Sequence, residues 1–527
     1  MNVDICIYGG NSAGVISAVQ VAKMSKSVIL VSPMKHLGGL TSNGLGFTDM
    51  GDNRILGGLT RDYFHRIWLY YRQDSAWKFQ SREQFGNKGQ HGPGLDDRFQ
   101  IATVFEPHVA ENIFDQLVTE NKVPVITGRL DRKNGVTNEN ATITQIRLED
   151  GRAISAKVFI DATYEGDLMA AARVSYTVGR EANSQYGETL NGIQAEKSVK
   201  NQLPQGIDPY VVKGQPNSGL LPGVNANSGG PDGSADHKIQ AYCYRMCLTN
   251  KPENRIAVDK PADYKEADYE LLFRAIETGQ DSRFFKLSAL PNEKTDSNND
   301  SGISTDYIGM NYDYPEADYA KREEIAETHK NWQLGLIWTL QNSPRVPEKI
   351  RNAYKAWGLP KDEFADTGHW PAELYIREAR RMITDFVISE PVLRKAVTPQ
   401  SIAMGAYAMD SHNTQRYVDA NGHVRNEGDV QKPVGKPYQI DYRAITPKAS
   451  ECRNLLVPVC LSSTHIAYGS IRMEPVFMAL GQSAATAAAL SIDTAVSVQD
   501  LDYQKLKQRL KQDQQVVELS KPATEER

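Results

Sequence analysis

The sequence predicts an α/β protein: a Rossmann-like domain carrying a three-strand meander, with an α+β region inserted into it. Three observations lead there. Residues 3–31 read as strand, glycine turn, helix, strand. Two alternating arms flank Asp150-Gly151 and read as a hairpin. A long stretch rich in Asn, Gly, Pro and Asp, residues 180–305, separates these from a last apolar strand and an alanine-rich helix.

The first strand is Val3-Asp4-Ile5-Cys6-Ile7-Tyr8, a short apolar run suited to burial on both faces. Gly9-Gly10-Asn11-Ser12-Ala13-Gly14 follows, and Val15, Ile16, Ala18, Val19 and Ala22 then recur with helical spacing. Ser27 to Val31 is the second strand. A glycine turn that opens a helix seats a dinucleotide pyrophosphate on the helix N-terminus. The pattern G-x-G-x-x-G is met at Gly9 and Gly14, while its middle place holds Asn11. The acidic residue that grips a ribose is replaced by Ser32.

The second glycine cluster, His36 to Gly46, brings backbone close to a ligand or forms a flexible surface loop. Gly57-Gly58 opens a helix with Tyr63, Phe64, Ile67, Trp68 and Tyr71 on its apolar face, and residues 74–98 are a polar excursion. A further helix follows Pro107, and Val123 to Ile126 is a strand. The hairpin, residues 142–148 and 154–160, ends in Asp161-Ala162-Thr163. The domains are expected at 1–180 with 395–495, an insert at 181–394, and a C-terminal tail at 496–527 whose last dozen residues fray.

Within the insert, Ala241 to Cys247 reads as a regular element, and Cys243 and Cys247 at i, i+4 share a face if it is helical. Helices are expected from Tyr319 to Leu340, Pro347 to Trp357 and Trp370 to Val387. On the last of these, Arg377 and Arg381 at i, i+4, with Arg380, form either an anion clamp or a salt-bridged structural face. A final strand, Asn454 to Val459, leads to His465, to Gly469-Ser470-Ile471-Arg472-Met473-Glu474-Pro475 and to a helix from Val476 to Leu490.

Length and composition set bounds. The 527 residues favour two domains, and a net charge of −5 gives no footprint for nucleic acid. No apolar run of eighteen residues reads as a membrane-spanning segment. A strand starting beside Met1 leaves no signal peptide, so the chain as it stands is expected in the cytoplasm, or in the periplasm if an export signal preceded it. Five cysteines make no disulfide framework and no zinc site; buried packing is their expected role. No metal site is read.

Taken together, YGGNSAGV, HLGGLTSNGLG, FEPHVAE, FIDATYEGDLMAAA, YCYRMCLT, YIREARRM, YAMDSHN and NLLVPVCLSSTHIAYGSIRMEPVFMALGQSAA resemble the bacterial FAD-dependent oxidoreductases often mislabelled as xanthan-lyase-like, of the glutathione-reductase-type flavoprotein superfamily. The resemblance runs over residues 3–490 and implies FAD. It places the pyrophosphate at Gly9, Asn11, Ser12, Ala13 and Gly14, and the adenosine ribose at Ser32. It places the flavin at Gly38, Gly39, Thr41 and Ser42, with Ala162 and Thr163 on the far side. Gly469, Arg472, Met473 and Glu474 would lie beside the pyrimidine end. Asn11, Ser32 and Ala484-Ala485 depart from the pattern.

For catalysis, the resemblance and the residue types point to His465, read at a strand end, as the base, with His412 as its rival beside Asp410. Arg472 would supply charge for a reduced flavin, and Tyr468 a hydrogen bond. The expected activity is oxidation or reduction of a small polar metabolite, for which Tyr242, Tyr244, Trp332, Trp338 and Trp370 could stack on sugar rings. The alternative is a carbohydrate-binding or lyase protein without redox activity. No second nucleotide fingerprint is present, so oxygen, a quinone or a carrier protein is favoured as electron acceptor over a pyridine nucleotide.

Overall fold

The central strand β1 (Asn2–Tyr8) is paired in parallel on both sides, and its Ile5, Cys6, Ile7 and Tyr8 are fully buried. The computed structural model describes residues 1–281 and 283–519. From β1 the chain enters α1 (Ser12–Lys23) and returns as β2 (Val28–Ser32), with Ile5 opposite Val28 and Tyr8 opposite Val31. Next come α2 (Gly58–Tyr71), α3 (Pro107–Glu120), β3 (Val125–Thr127) and the meander β4 (Val136–Glu139), β5 (Thr142–Arg147) and β6 (Ala153–Asp161). The strand order is β3-β2-β1-β6-β5-β4, and β9 (Leu455–Leu456) runs parallel to the end of β6. Strands with helices on the crossover must be parallel, whereas the tight Asp150-Gly151 turn makes β5 and β6 antiparallel.

This topology brings three chain ends together. Gly9 N–H donates to Val31 O at 2.8 Å and Ala162 N–H to Tyr8 O at 2.7 Å. The dinucleotide turn therefore lies directly beside Ala162-Thr163, at the carboxyl ends of parallel strands, where open α/β sheets bind ligands.

The inserted region contains α4 (Tyr319–Asn342) and α5 (Glu348–Lys355), close to the expected spans. Two expectations there fail. Residues 241–249 are extended: Cys243 bridges Tyr375, and Met246–Thr249 pairs with Lys294–Ser297. Cys243 and Cys247 thus share no helix face, though all five cysteines are buried and free. Trp370 to Val387 likewise forms no helix. Tyr375 N–H donates to Cys243 O, and Arg381–Met382 pairs with Tyr176–Thr177. Ladders with distant segments have overridden a local helical pattern.

The last part holds β7 (Met409–Ser411), β8 (Gln415–Val418), β9, then α6 (His465–Ile471), α7 (Glu474–Thr494) and α8 (Tyr503–Gln512). His465 is therefore the first residue of a helix capped by Thr464, not the end of a strand. α7 starts at Glu474, two residues before the expected Val476, with Pro475 as its second residue. α7 is long and apolar enough to cross a membrane, but it is buried inside the protein. It packs on α1 so closely that a Cβ on Gly481 would stand 2.4 Å from Ala13 O.

The expected tail is partly structured. Leu506, Leu510 and Val517 are buried, and Gln515 Nε2 donates to Ala479 O at 2.9 Å. Of the last dozen residues expected to fray, Val516, Val517 and Leu519 pack on the core. Residues 520–527 lie outside the described residues.

Candidate functional site

The Gly9–Gly14 turn is held by contacts that admit no side chain. A Cβ on Gly10 would stand 2.2 Å from Ser32 Oγ, and one on Gly14 1.8 Å from Gly9 O. Gly9 has φ +120°, and a Cβ there would meet Thr163 N at 2.7 Å. Asn11, in the place of the middle glycine, has φ −74° and needs no special freedom. Its Oδ1 accepts from Gly14 N–H at 3.0 Å, which caps α1, and its Nδ2 donates to Ala162 O. The N–H groups of Ser12 and Ala13 at the start of α1 have no carbonyl within the helix.

The second glycine cluster is not a flexible surface loop. Residues 37–46 are buried, and Gly38 N–H donates to Gly10 O at 2.8 Å. Gly38 and Gly39 have φ +98° and +58°, and a Cβ on Gly39 would lie 2.3 Å from Tyr164 Oη. Thr41 Oγ1 donates to Glu474 Oε2 at 3.0 Å, and Ser42 Oγ is buried without a partner among the described residues.

A cavity of about 970 Å³, solvent at its mouth included, opens over the turn. Of the residues named from sequence, Gly9, Asn11, Ser32 and Thr163 line it, together with Gly10. Ser12, Ala13, Gly14, Gly38, Gly39, Thr41, Ser42, Ala162, Gly469, Arg472, Met473 and Glu474 do not line it. Sequence reasoning missed Arg129, Tyr164, Glu165, Arg322 and Glu373, while Tyr244, named from sequence as a stacking aromatic, does line the cavity. Tyr164 and Glu165 follow directly on Ala162-Thr163 and were within reach of the motif; the others come from distant segments. Ser32 Oγ donates to Met34 O at 2.6 Å, so its hydroxyl serves its own turn. Burial raises the carboxyl of Glu373 well above its usual range, and Glu165 and Glu474 add to this by like charge.

The four catalytic candidates are gathered between β7 and α6. Gly469 presses on the backbone of Asp410, where a Cβ would meet Asp410 O at 2.7 Å. Arg472 Nη1 donates to Tyr375 Oη at 2.6 Å and Nη2 to Asp410 O at 3.1 Å. Its Nε is buried without a partner among the described residues. His465 Nδ1 lies 2.7 Å from Glu378 Oε2 and its Nε2 3.0 Å from Ser411 Oγ. Burial, with the charges of Arg381 and Arg180, pushes its pKa down to about 3. It is therefore neutral, with Nδ1–H donating to Glu378 and Nε2 accepting from Ser411.

His412 Nδ1 lies 2.6 Å from Asp306 Oδ2, while Nε2 stands 4.0 Å from Asp410 Oδ2, too far to bond. Burial, then the charge of Arg377, lowers its pKa. Tyr468 is buried, which raises its phenol well above the ordinary value. Residues 372–376 separate this cluster from the cavity: Leu374 and Ile376 face the cavity, and the intervening Tyr375 turns to Arg472.

The arginines expected on one helix face are instead paired separately in extended chain. Arg377 meets Asp306 at 2.9 Å, Arg380 meets Asp167 at 2.9 Å, and Arg381 meets Glu181 at 2.7 Å. They serve structure rather than an open clamp. Glu106, His108 and Glu363 converge as metal ligands would, but Lys294 Nζ stands 2.8 Å from Glu106 and 2.6 Å from Glu363 and supplies the positive charge.

The sequence matches the family described as FAD dependent oxidoreductase over residues 4–510. No curated protein matches it. Among solved structures, it is similar to the L-amino acid deaminase from Proteus vulgaris, at 15% identity over 34% of this chain and 52% of that chain, TM-score 0.24. It is similar to the OxyS anhydrotetracycline hydroxylase from Streptomyces rimosus, at 11% identity over 35% and 36%, TM-score 0.22. It is also similar to thioredoxin reductase from Streptococcus pyogenes MGAS5005, at 18% identity over 35% and 40%, TM-score 0.18. The chain spans between 36% and 52% of the length of these three proteins.

Proposed function

The chain belongs to the FAD dependent oxidoreductase family, and from this premise we propose that it oxidises or reduces a small polar metabolite, in the first instance a carbohydrate derivative, with FAD held over the Gly9–Gly14 turn. When bound, FAD supplies a hydride acceptor at flavin N5. Family membership sets aside the reading as a lyase without redox activity.

The observation that carries the proposal is the glycine cradle beside a cavity. Side chains at Gly9, Gly10 and Gly14 would collide with Thr163, Ser32 and the Gly9 carbonyl and force the turn open, and the start of α1 offers N–H groups to a pyrophosphate. Arg129, on the same cavity wall as Ser32, would hold the adenosine end. Gly38, Gly39 and the unpartnered Ser42 hydroxyl would meet the flavin end. Beyond residues 372–376, Arg472, whose Nε also lacks a partner, and the N-terminus of α7 would oppose negative charge on a ring that passes that segment.

The geometry favours His412 over His465 as the proton acceptor, which reverses the ranking expected from sequence. Both nitrogens of His465 are engaged, so we assign it the positioning of β7 through Ser411. His412 has Asp306 on Nδ1 and keeps Nε2 available, in a neutral form ready to take a proton. Tyr244, on the cavity wall and 5.6 Å from the Trp370 ring, is the best-placed aromatic for stacking on a sugar ring.

The test is anaerobic screening of the FAD-loaded protein against sugars, sugar acids and polyols for bleaching of flavin absorbance. Bleaching by members of this set is expected. Bleaching only by amines or amino acids would replace the substrate class, and failure to take up FAD would overturn the site.

A further inference from the structure

A second cavity, of about 470 Å³ with the solvent at its mouth included, lies between residues of the 222–332 stretch and Arg416 and shares no wall residue with the first. Its floor is apolar, with Leu271, Leu272 and Ile303 nearly fully buried. One side is an aromatic stack, in which Tyr307 and Trp332 lie 4.4 Å apart at 11°. The remaining feature is Arg416 of β8, 5% exposed.

Arg416 is an exception among the buried arginines. Arg180, Arg245, Arg322 and Arg380 each meet a carboxylate, at 2.6, 2.5, 2.7 and 2.9 Å. No carboxylate of the described residues stands within ion-pair distance of Arg416, and its Nε and Nη2 are wholly buried without a partner among the described residues. These two atoms form one edge of the guanidinium. Arg245 uses that same edge to hold both oxygens of Asp296, and Arg180 uses it to hold Asp236. A guanidinium fork is shaped for such bidentate pairing, and a buried charge left without it is costly. Burial lowers the Arg416 pKa to about 10, with only partial compensation by Asp306, Tyr307 and Tyr312.

We propose that this cavity binds an amphipathic carboxylate, a monoanion whose carboxylate pairs with the guanidinium of Arg416. Its apolar body lies against Trp332, Tyr307 and the Leu271–Leu272–Ile303 floor. A single charge is the match. The wall offers one guanidinium, no lysine and no second arginine, and Asp268 lines it too. A phosphate dianion would bring charge that nothing there balances. The apolar floor rejects a fully polar ligand, because hydroxyls against it would lose their water without replacement. The proposal does not depend on the FAD-site reading.

The experiment is calorimetric titration of the FAD-loaded protein with 3-phenylpropionate, its amide and phenyl phosphate. Saturable binding of the acid is expected, weaker by about tenfold or more for the amide. The same loss is expected for the acid on Arg416→Gln. Leu272→Phe, which narrows the floor and keeps the guanidinium, should also weaken the acid; it stands in if Arg416→Gln does not fold. Flavin bleaching by the bound acid would make it the redox substrate, and binding without bleaching would make it a separate ligand; either supports the site. Equal binding of acid and amide, tighter binding of phenyl phosphate, or no saturable binding of 3-phenylpropionate or hexanoate would overturn it.

Discussion

The phenol of Tyr164 lies 2.7 Å from Oε1 of Glu474, joining residues that stand on either side of the inserted region. Oε2 of the same carboxylate accepts from Ser12 Oγ and, at 3.0 Å, from Thr41 Oγ1. One buried group thus ties the turn after β6, the first turn of α1, the second glycine cluster and the start of α7.

Glu474→Ala should leave three buried hydroxyls without an acceptor. Each unsatisfied group costs about 1–3 kcal/mol, so a loss of several kcal/mol is expected. Glu474→Gln keeps an acceptor oxygen and should lose less. Thermal unfolding and FAD content, read together, check this. A variant that melts like the parent and retains FAD would show that the four segments are held elsewhere.

Gly14→Val should abolish FAD retention or folding. A Cβ there would stand 1.8 Å from Gly9 O, a backbone atom that cannot move without opening the turn. The β-branched side chain adds two further methyl groups at that point. The flavin absorbance of the purified variant, with circular dichroism, gives the answer. Normal FAD content in a folded Gly14→Val protein would mean that the cofactor lies elsewhere.

The parts of this fold legible in sequence are those set by near neighbours. The βαβ unit, the Asp150-Gly151 hairpin and α2, α3 and α4 all follow from local periodicity and turn chemistry. Asn11 shows the limit of a motif: it breaks the glycine pattern, yet its side chain caps α1 and ties the turn to Ala162. Trp370 to Val387 was misread because its arginines recur at helical spacing. What decided its shape were carboxylates far away, Asp306, Asp167 and Glu181, and a ladder with residue 243. His465 takes its place from the Thr464 cap, whose side chain accepts from Ala467 N–H and starts α6 there, not from the end of β9. The Tyr164–Glu474 contact spans 310 positions and leaves no local trace.

Acid stability should carry the signature of His465. Its pKa is near 3 in the fold against an ordinary 6.5. A base with a depressed folded pKa gives stability that is full above 6.5 and is lost as pH falls from 6.5 toward 3. The slope is about 1.4 kcal/mol per pH unit for one proton. Denaturant unfolding of the parent and of His465→Gln, across this window, isolates the contribution. The parent should lose stability more steeply than the variant. Parallel curves would mean that His465 is not held neutral by its surroundings.

The choice between the two histidines is decided by flavin reduction. His412 is oriented by Asp306 and has Nε2 unbonded, whereas His465 has given both nitrogens to Glu378 and Ser411. A base must have a lone pair free at the moment of proton transfer, and its removal slows the chemical step by about 100-fold or more. His412→Ala is therefore expected to keep FAD and slow reduction by at least that factor. Asp306→Asn should follow it with a smaller loss, since the ring would be held in the wrong tautomer. His465→Ala should act chiefly on stability and on the placement of β7, lowering the rate only as far as Ser411 and Asp410 shift. Stopped-flow reduction of the three variants, with the substrate that emerges from the bleaching screen, separates these outcomes. If His465→Ala loses the rate while His412→Ala keeps it, the Ser411 hydroxyl is the path by which the proton leaves and the assignment reverses. If neither variant slows reduction, the proton leaves through water or Tyr468, and the β7–α6 cluster is a structural one.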